Sequence, residues 1–197
     1  MERILEHFRA ITATPRCSYN AVAMKEYIKS FALQHHFDVQ EDSAGNLLCQ
    51  KGTPKVCLQA HYDMVCIGST ESIEIIIDGK WIKAKNSTLG ADNGMGMAIM
   101  FWLMEEMPNL ECLFSADEEV GLLGAMAFNT PLKASNLLNL DAEEEGEIYI
   151  GCAGGVDVIA TISCERIPLP DDMYCYEISA FDFLGGDRKS TRLNSSH

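Results

Sequence analysis

The chain has 197 residues, enough to bury the core of one full domain. Its 47% apolar content is ordinary for a globular protein, and its longest apolar stretch, residues 95–104, is about half the ~20 residues that span a bilayer. The net charge of −14 argues against a nucleic-acid partner, since phosphate-binding surfaces are basic. With no apolar leader at its start, the sequence predicts a soluble, cytoplasmic protein without a membrane partner.

The first half of the chain begins with two predicted helices. The first covers residues 2–12. The second is capped by Ser18 or Asn20, runs to about residue 35 and has Val22, Tyr27, Ile28 and Phe31 on its apolar face. Residues 38–40 and 46–50 then flank a Ser-Ala-Gly turn and predict a hairpin.

An apolar run at residues 55–60 predicts an internal strand. Residues 73–77 and 81–85 flank Asp78-Gly79, which predicts a second hairpin with these two residues as its turn. The segment 93–107 is apolar on nearly every side and predicts a buried helix.

The rest of the chain contains a strand at 110–115, a helix at 120–128 and a strand at 136–140. From Gly146 onward only strand-like runs occur, at residues 148–150, 156–164 and 174–183. Strands that alternate with helices indicate the α/β class, with a largely parallel mixed sheet flanked by helices. The change to consecutive strands predicts that a first domain over residues 1–153 is followed by a second unit at 154–186.

The last eleven residues, 187–197, lack apolar periodicity and contain three of the fifteen basic residues. Their string Asp-Arg-Lys-Ser-Thr-Arg-Leu-Asn-Ser-Ser-His matches the conceptual translation of a common sequencing-adapter oligonucleotide. We therefore expect this tail to be non-native and the natural chain to continue beyond Gly186.

The eight cysteines form no C-x-x-C pair, so neither a cysteine zinc site nor a redox motif is indicated. In a reducing compartment we expect small buried apolar residues rather than disulfides. Four cysteines lie inside apolar, strand-like runs: Cys49, Cys57, Cys112 and Cys164.

Acidic and histidine residues recur where the predicted strands end and where the buried helix begins. In open α/β sheets, ligands bind at the carboxyl ends of the strands. Carboxylates gathered at one edge would repel each other unless a cation neutralised them. The residues concerned are His61, Asp63, Asp92, Glu118, Glu119 and Asp141.

Histidine and carboxylates without cysteine suit zinc, manganese or cobalt. A bridging carboxylate would hold two ions about 3.5–4 Å apart, and one carboxylate must stay unligated as general base. Of Glu118 and Glu119, one can bind metal while the other faces the water. Taken singly, Asp92 could instead be a helix N-cap and the glutamate pair a solvated helix start.

Four motifs in order resemble one enzyme family over residues 1–186. They are His-Tyr-Asp-Met-Val at 61–65, Thr-Leu-Gly-Ala-Asp-Asn-Gly at 88–94, Asp-Glu-Glu-Val-Gly at 117–121 and the long Leu-Asp-Ala-Glu-Glu-Glu-Gly-Glu-Ile-Tyr-Ile-Gly-Cys-Ala-Gly-Gly at 140–155. The family is that of the aminoacyl-histidine dipeptidases, or cytosol non-specific dipeptidases, in the co-catalytic zinc peptidase clan. The resemblance implies hydrolysis of unblocked dipeptides by a water that two Zn²⁺ ions activate, with Co²⁺ or Mn²⁺ as substitutes.

The resemblance also implies a role for each site residue. Asp92 would bridge both ions, His61 and Asp141 would complete one zinc, and Glu119 would bind the other. Glu118 would be the general base, Asp63 would orient His61, and a cis peptide would follow Asp92.

Two histidines of the family, one for the second zinc and one in the lid domain, have no counterpart in this chain. The chain alone is therefore expected to be inactive, whereas the full-length protein would act on dipeptides and could form a homodimer. The rival hypotheses are a tripeptide aminopeptidase, an N-acyl amidohydrolase of the same clan, or a catalytically dead metal-binding module.

Overall fold

The computed structural model describes residues 2–71, 73–142 and 146–151. The helices are α1 (Glu2–Thr12), α2 (Val22–Gln34), α3 (Ala91–Glu106) and α4 (Leu123–Ala127). The strands are β1 (Asp38–Glu41), β2 (Leu47–Lys51), β3 (Val56–His61), β4 (Ile75–Asp78), β5 (Trp81–Ala84), β6 (Leu110–Ser115) and β7 (Asn136–Asn139).

Five of these strands form a mixed sheet in the order β1-β2-β6-β3-β7. The strands β6, β3 and β7 run parallel, whereas β1 and β2 add an antiparallel hairpin at one edge. The crossover through α3 makes β3 and β6 parallel, so their carboxyl ends lie at the same edge. The predicted fold class, a mixed α/β sheet flanked by helices, is confirmed.

The main core lies between one face of the sheet and the first three helices. Phe8 of α1, Ile28 of α2 and Phe101 of α3 are fully or almost fully buried there, against alternate residues of the strands. A smaller cluster covers the other face, where Leu48 and Leu113 contact partly buried residues such as Phe128. Helix α3 is apolar on several sides because it is covered by α1 as well as by the sheet.

The free cysteines of the strands are buried as predicted. Cys49, Cys57 and Cys112 are each 0% exposed and carry free thiols. Burial raises the pKa of the Cys49 thiol to about 12. These side chains therefore act as small apolar residues of the core.

The expectation that disulfides are absent was wrong for one pair. Cys17 and Cys66 form a disulfide between Cα atoms 5.5 Å apart. A short parallel bridge between Cys17 and Met64 brings the two segments together, and this long-range contact left no trace in the local sequence pattern.

The predicted cap of the second helix was also wrong. Helix α2 begins at Val22 after Ala21, which makes no side-chain capping bond. The Ser18 hydroxyl donates instead to Asp63, 45 residues further on. Val22 is 61% exposed, and the buried face of the helix is formed by Met24, Ile28 and Ala32.

Smaller differences concern the ends of other elements. In the second hairpin Asp78 pairs with Trp81, so the turn residues are Gly79 and Lys80 rather than Asp78 and Gly79. Helix α4 starts three residues later than predicted, because residues 117–122 form a loop in which Asp117 and Leu122 have positive φ. Residues 148–150 are exposed and not a strand.

Several predictions fall outside the described residues. They concern the strands at 156–164 and 174–183, the domain boundary at residues 153–154, the tail at 187–197, and Cys164. In the part of the chain that the structure describes, no helix is both long and apolar enough to cross a membrane.

Candidate metal centre

His61 lies at the centre of the cluster of site residues. It is the last residue of β3, opposite Ser115 of β6, and is 2% exposed. Its Nε2 atom lies 2.9 Å from Asp92 Oδ1, 3.9 Å from Glu118 Oε2 and 3.9 Å from Asp141 Oδ1. One ring nitrogen therefore faces carboxylates from three different segments.

The sheet topology explains this convergence. Because β3 lies between β6 and β7 and all three strands are parallel, residues that follow them meet at one edge. Glu118 follows β6 by three residues, and Asp141 follows β7 by two. Glu118 and Asp141, which come 57 and 80 residues after His61 in the sequence, are thereby placed beside it.

Asp92 reaches the cluster from the start of α3. Its backbone is not helical (φ −81°, ψ 117°), and the peptide bond between Asp92 and Asn93 is cis, as the family resemblance implied. The preceding Gly90 occupies the left-handed region with φ 70°, which favours glycine. The N-cap of α3 is Gly90 rather than Asp92, and the Asp92 side chain is 55% exposed beside His61.

Asp63 is 0% exposed and connects the loops of the site through hydrogen bonds. The main-chain N–H groups of Glu118 and Glu119 donate to its two oxygens at 3.0 and 3.3 Å. The Ser18 hydroxyl donates to Oδ2 at 2.8 Å, and Oδ1 lies 3.4 Å from Nδ1 of His61. The imidazole thus has Nδ1 on the Asp63 side and Nε2 on the side of the other carboxylates.

The charges of the cluster shift several pKa values. Burial raises the pKa of Glu118; the charge of His61 acts against this rise, and the negative charges of Asp141 and Glu119 add to it. Burial likewise raises the pKa of Glu119, with Asp92 contributing. Burial alone would lower the pKa of His61, but its hydrogen bonds to Asp63 and Asp92 outweigh burial and raise it to about 9.

The residues form two overlapping groups with metal-ligating geometry, in each of which the ligand atoms lie within 4.8 Å of one another. One contains His61, Asp92 and Asp141, and the other contains His61, Glu118 and Glu119. Two ligands of a tetrahedral zinc at about 2.1 Å are separated by about 3.4 Å, and the distances of 2.9 and 3.9 Å from Nε2 bracket this value. The donor set fits a divalent transition-metal ion.

Sequence reasoning missed two residues that hold this arrangement. Ser18 was interpreted as a helix cap, and Arg16 was not considered because one arginine between two helices usually lies in solvent. Arg16 is 1% exposed and donates to the main-chain oxygens of Tyr62, Asp63 and Gly90. The neighbouring Pro15 indicates the end of a helix, but no local sequence pattern predicts that the Arg16 side chain is buried.

Comparison with known proteins identifies relatives of the chain. It is 36% identical over 199 aligned positions to the cytosol non-specific dipeptidase of Escherichia coli (strain K12), covering 91% of this chain and 41% of that protein. The chain thus spans well under half the length of this curated relative. No protein-family model matches the sequence.

Comparison with solved structures also finds similar peptidases. The aminoacylhistidine dipeptidase from Vibrio alginolyticus superposes with a TM-score of 0.70 at 37% identity, over 76% of this chain and 35% of that one. A tripeptidase from Staphylococcus aureus superposes with a TM-score of 0.66 at 24% identity, over 73% of this chain and 44% of that one. The second likeness shows a shared fold alone.

Proposed function

The chain is a partial relative of the cytosol non-specific and aminoacylhistidine dipeptidases, and from this relationship we propose that the full-length protein hydrolyses unblocked dipeptides with a metal-activated water. The observation that carries the proposal is the convergence of Asp92, Glu118 and Asp141 on one nitrogen of His61. We assign it to the cytoplasm, in line with the relative's name.

Two zinc ions are the proposed cofactors, with cobalt or manganese as substitutes. His61, Asp92 and Asp141 would hold one ion, and Glu119 and the bridging Asp92 would contribute to the other. Bound ions would polarise the peptide carbonyl and lower the pKa of the attacking water. Asp63, beside Nδ1, would keep Nε2 of His61 free of its proton for ligation.

Glu118 is the proposed general base. Its Oε2 atom lies on the Nε2 side of His61, and its main chain is held by Asp63. Glu118 accepts a proton from water as the new C–O bond forms, and it returns that proton to the leaving nitrogen as the C–N bond breaks.

A substrate panel tests the proposal. The full-length protein, stripped by a chelator and reloaded with zinc, is assayed on unblocked dipeptides, N-acetylated dipeptides and tripeptides. We expect zinc-dependent release of both amino acids from the unblocked dipeptides. Preferential cleavage of tripeptides or blocked substrates would support a rival enzyme, and no cleavage despite bound zinc would support a catalytically dead module.

A homodimer is the proposed assembly of the full-length protein. Its test is the molar mass in solution, measured by light scattering after size-exclusion chromatography. A monomer at micromolar concentration would contradict it.

A further inference from the structure

Arg16 lies beneath the candidate metal centre and joins two loops that approach it from different elements. Its Nη1 donates to the carbonyl oxygens of Tyr62 at 3.3 Å and of Asp63 at 2.8 Å. Its Nη2 donates to the carbonyl oxygen of Gly90. One guanidinium group therefore connects the loop after β3 with the loop before α3.

These two loops adjoin His61 and Asp92, whose separation decides whether both can ligate one metal ion. Tyr62 follows His61 directly, and Gly90 precedes Asp92 by two residues. The planar guanidinium offers donors on both nitrogens in a fixed fork, so it holds both carbonyls at a set spacing. We propose that Arg16 is a positioning residue that sets the distance between His61 and Asp92, so that both can ligate one metal ion.

Two glycines leave room for this side chain. A Cβ atom at Gly90 would lie 2.6 Å from Nη2 of Arg16, and one at Gly94 would lie 2.9 Å from the same nitrogen and 3.2 Å from Phe8. The two distances to Nη2 are shorter than van der Waals contact allows, and the distance to Phe8 is tight. The glycines on both sides of Asp92 thus create the space in which the guanidinium lies.

The charge of Arg16 also suits its place. Burial lowers its pKa to about 10, while the negative charges of Asp63, Asp92 and Glu119 act in the opposite direction, so the group stays protonated at neutral pH. Within the described residues its hydrogen bonds go to the main-chain carbonyls of Tyr62, Asp63 and Gly90. The arginine adds a positive charge beneath the carboxylates without occupying their oxygens.

The inference rests on the proposed metal-dependent function and is tested by metal binding as well as by activity. Arg16→Met and Arg16→Lys are made in the full-length protein. Affinity for Zn²⁺ is measured by competition with a chromophoric chelator, and the visible spectrum of the Co²⁺ form reports the ligand geometry. Changes behind the direct ligands typically weaken metal affinity or activity 10–100-fold, and we expect this loss for both variants together with an altered Co²⁺ spectrum.

Lysine keeps the charge but lacks the fork, so its variant separates geometry from charge. A Lys variant with wild-type zinc affinity and spectrum would overturn the proposal. Gly94→Ala is a second probe that keeps Arg16 and displaces its guanidinium, and we expect it to weaken zinc binding in the same direction.

Ile28→Ala is the matched control for a general loss of stability, since Ile28 is fully buried in α2, an element that contributes no site residue. We expect this variant to lower the melting temperature while zinc affinity, the Co²⁺ spectrum and kcat/KM stay unchanged. If it weakens zinc binding as much as Arg16→Met does, the arginine is merely structural. If the wild-type protein binds no zinc, the proposed function itself fails.

Discussion

Glu118 and Glu119 are adjacent in sequence but differ in their surroundings. Oε2 of Glu118 lies 3.9 Å from Nε2 of His61, and the pKa of Glu118 is raised by burial and then by Asp141. For Glu119, burial is followed by Asp92 as the cause of its raised pKa. Both glutamates lie in the same candidate group with His61, so the division of the pair into a base and a ligand stays a prediction.

Glu118→Gln in the full-length protein tests that division. The amide cannot accept a proton, so we expect kcat to fall about 10²–10⁴-fold with zinc content unchanged. Turnover and metal content of the purified variant measure the two effects separately. Undiminished turnover would exclude Glu118 as the general base.

Asp63 is the residue on which most contacts within the site depend. Asp63→Asn replaces one accepting oxygen by an amide that cannot accept from the N–H groups of Glu118 or Glu119. We expect zinc affinity to fall about 10–100-fold. The free energy of unfolding should decrease by about 1–3 kcal/mol, because a partly buried N–H group loses its acceptor. Chelator competition and urea unfolding measure the two quantities.

Ser18→Ala serves as the graded control for this change. It removes one hydrogen bond to Asp63 and leaves the carboxylate in place. We expect a loss of about 0.5–1.5 kcal/mol in unfolding free energy. A loss of zinc affinity as large as that of Asp63→Asn would contradict the central place given to the carboxylate.

At the scale of elements, the site is assembled from the ends of parallel strands and from the segment between α1 and α2. Residues 16–18 run beside residues 62–64, with the N–H of Met64 donating to Arg16 and that of Ser18 donating to Met64. The Cys17–Cys66 disulfide fastens this segment to the same loop. The segment between α1 and α2 thereby helps to hold the loop after β3 in place at the candidate metal centre.

Reduction of this disulfide tests its contribution. The bond closes a loop of 49 residues, for which chain entropy predicts about 4 kcal/mol and measured disulfides commonly give about 2–4 kcal/mol. We expect dithiothreitol to lower the free energy of unfolding by about that amount. The double variant Cys17→Ala/Cys66→Ala should have the same low stability with and without reductant, and an equal response of both proteins to reductant would contradict the prediction.

For the whole molecule, a metal ion at this edge would link three segments that are distant in sequence. His61, Asp92 and Asp141 come from the end of β3, the start of α3 and the loop after β7. A ligand that binds only the folded state raises the free energy of unfolding, by about 2.7 kcal/mol when its free concentration is 100 times Kd. We expect zinc to raise, and chelator to lower, the melting temperature of the full-length protein, as scanning calorimetry would measure.

Asp141→Asn is the control for this thermal shift. It removes one proposed ligand charge at the end of the sheet, so the stabilisation by zinc should be clearly smaller at the same concentration. An unchanged shift would mean that zinc stabilises the protein from another site.

The sequence by itself determined the α/β class, most strand positions and the candidate ligands. Apolar runs mark the strands, and the candidate ligands stand at or shortly after strand ends, so the ligand pattern is local. His61 is the last residue of β3, Glu118 follows β6 by three residues, and Asp141 follows β7 by two. The cis bond after Asp92 came from resemblance to a family, since no local pattern predicts a non-proline cis peptide. Burial of the cysteines in β2, β3 and β6 followed from the same apolar runs.

Only the tertiary structure decided the role of residues 16–18. Arg16 finds its acceptors 46, 47 and 74 residues away, Ser18 finds Asp63 after 45, and Cys17 finds Cys66 after 49. Hydrophobic periodicity indicates only which face of a helix or strand is buried. A polar residue in the segment between two helices is not part of such a pattern, so its burial cannot be predicted from it. The candidate ligands were predictable from the sequence because each lies near the end of a strand or the start of a helix. The residues that hold them in place could be recognised only from contacts between loops that are distant in sequence.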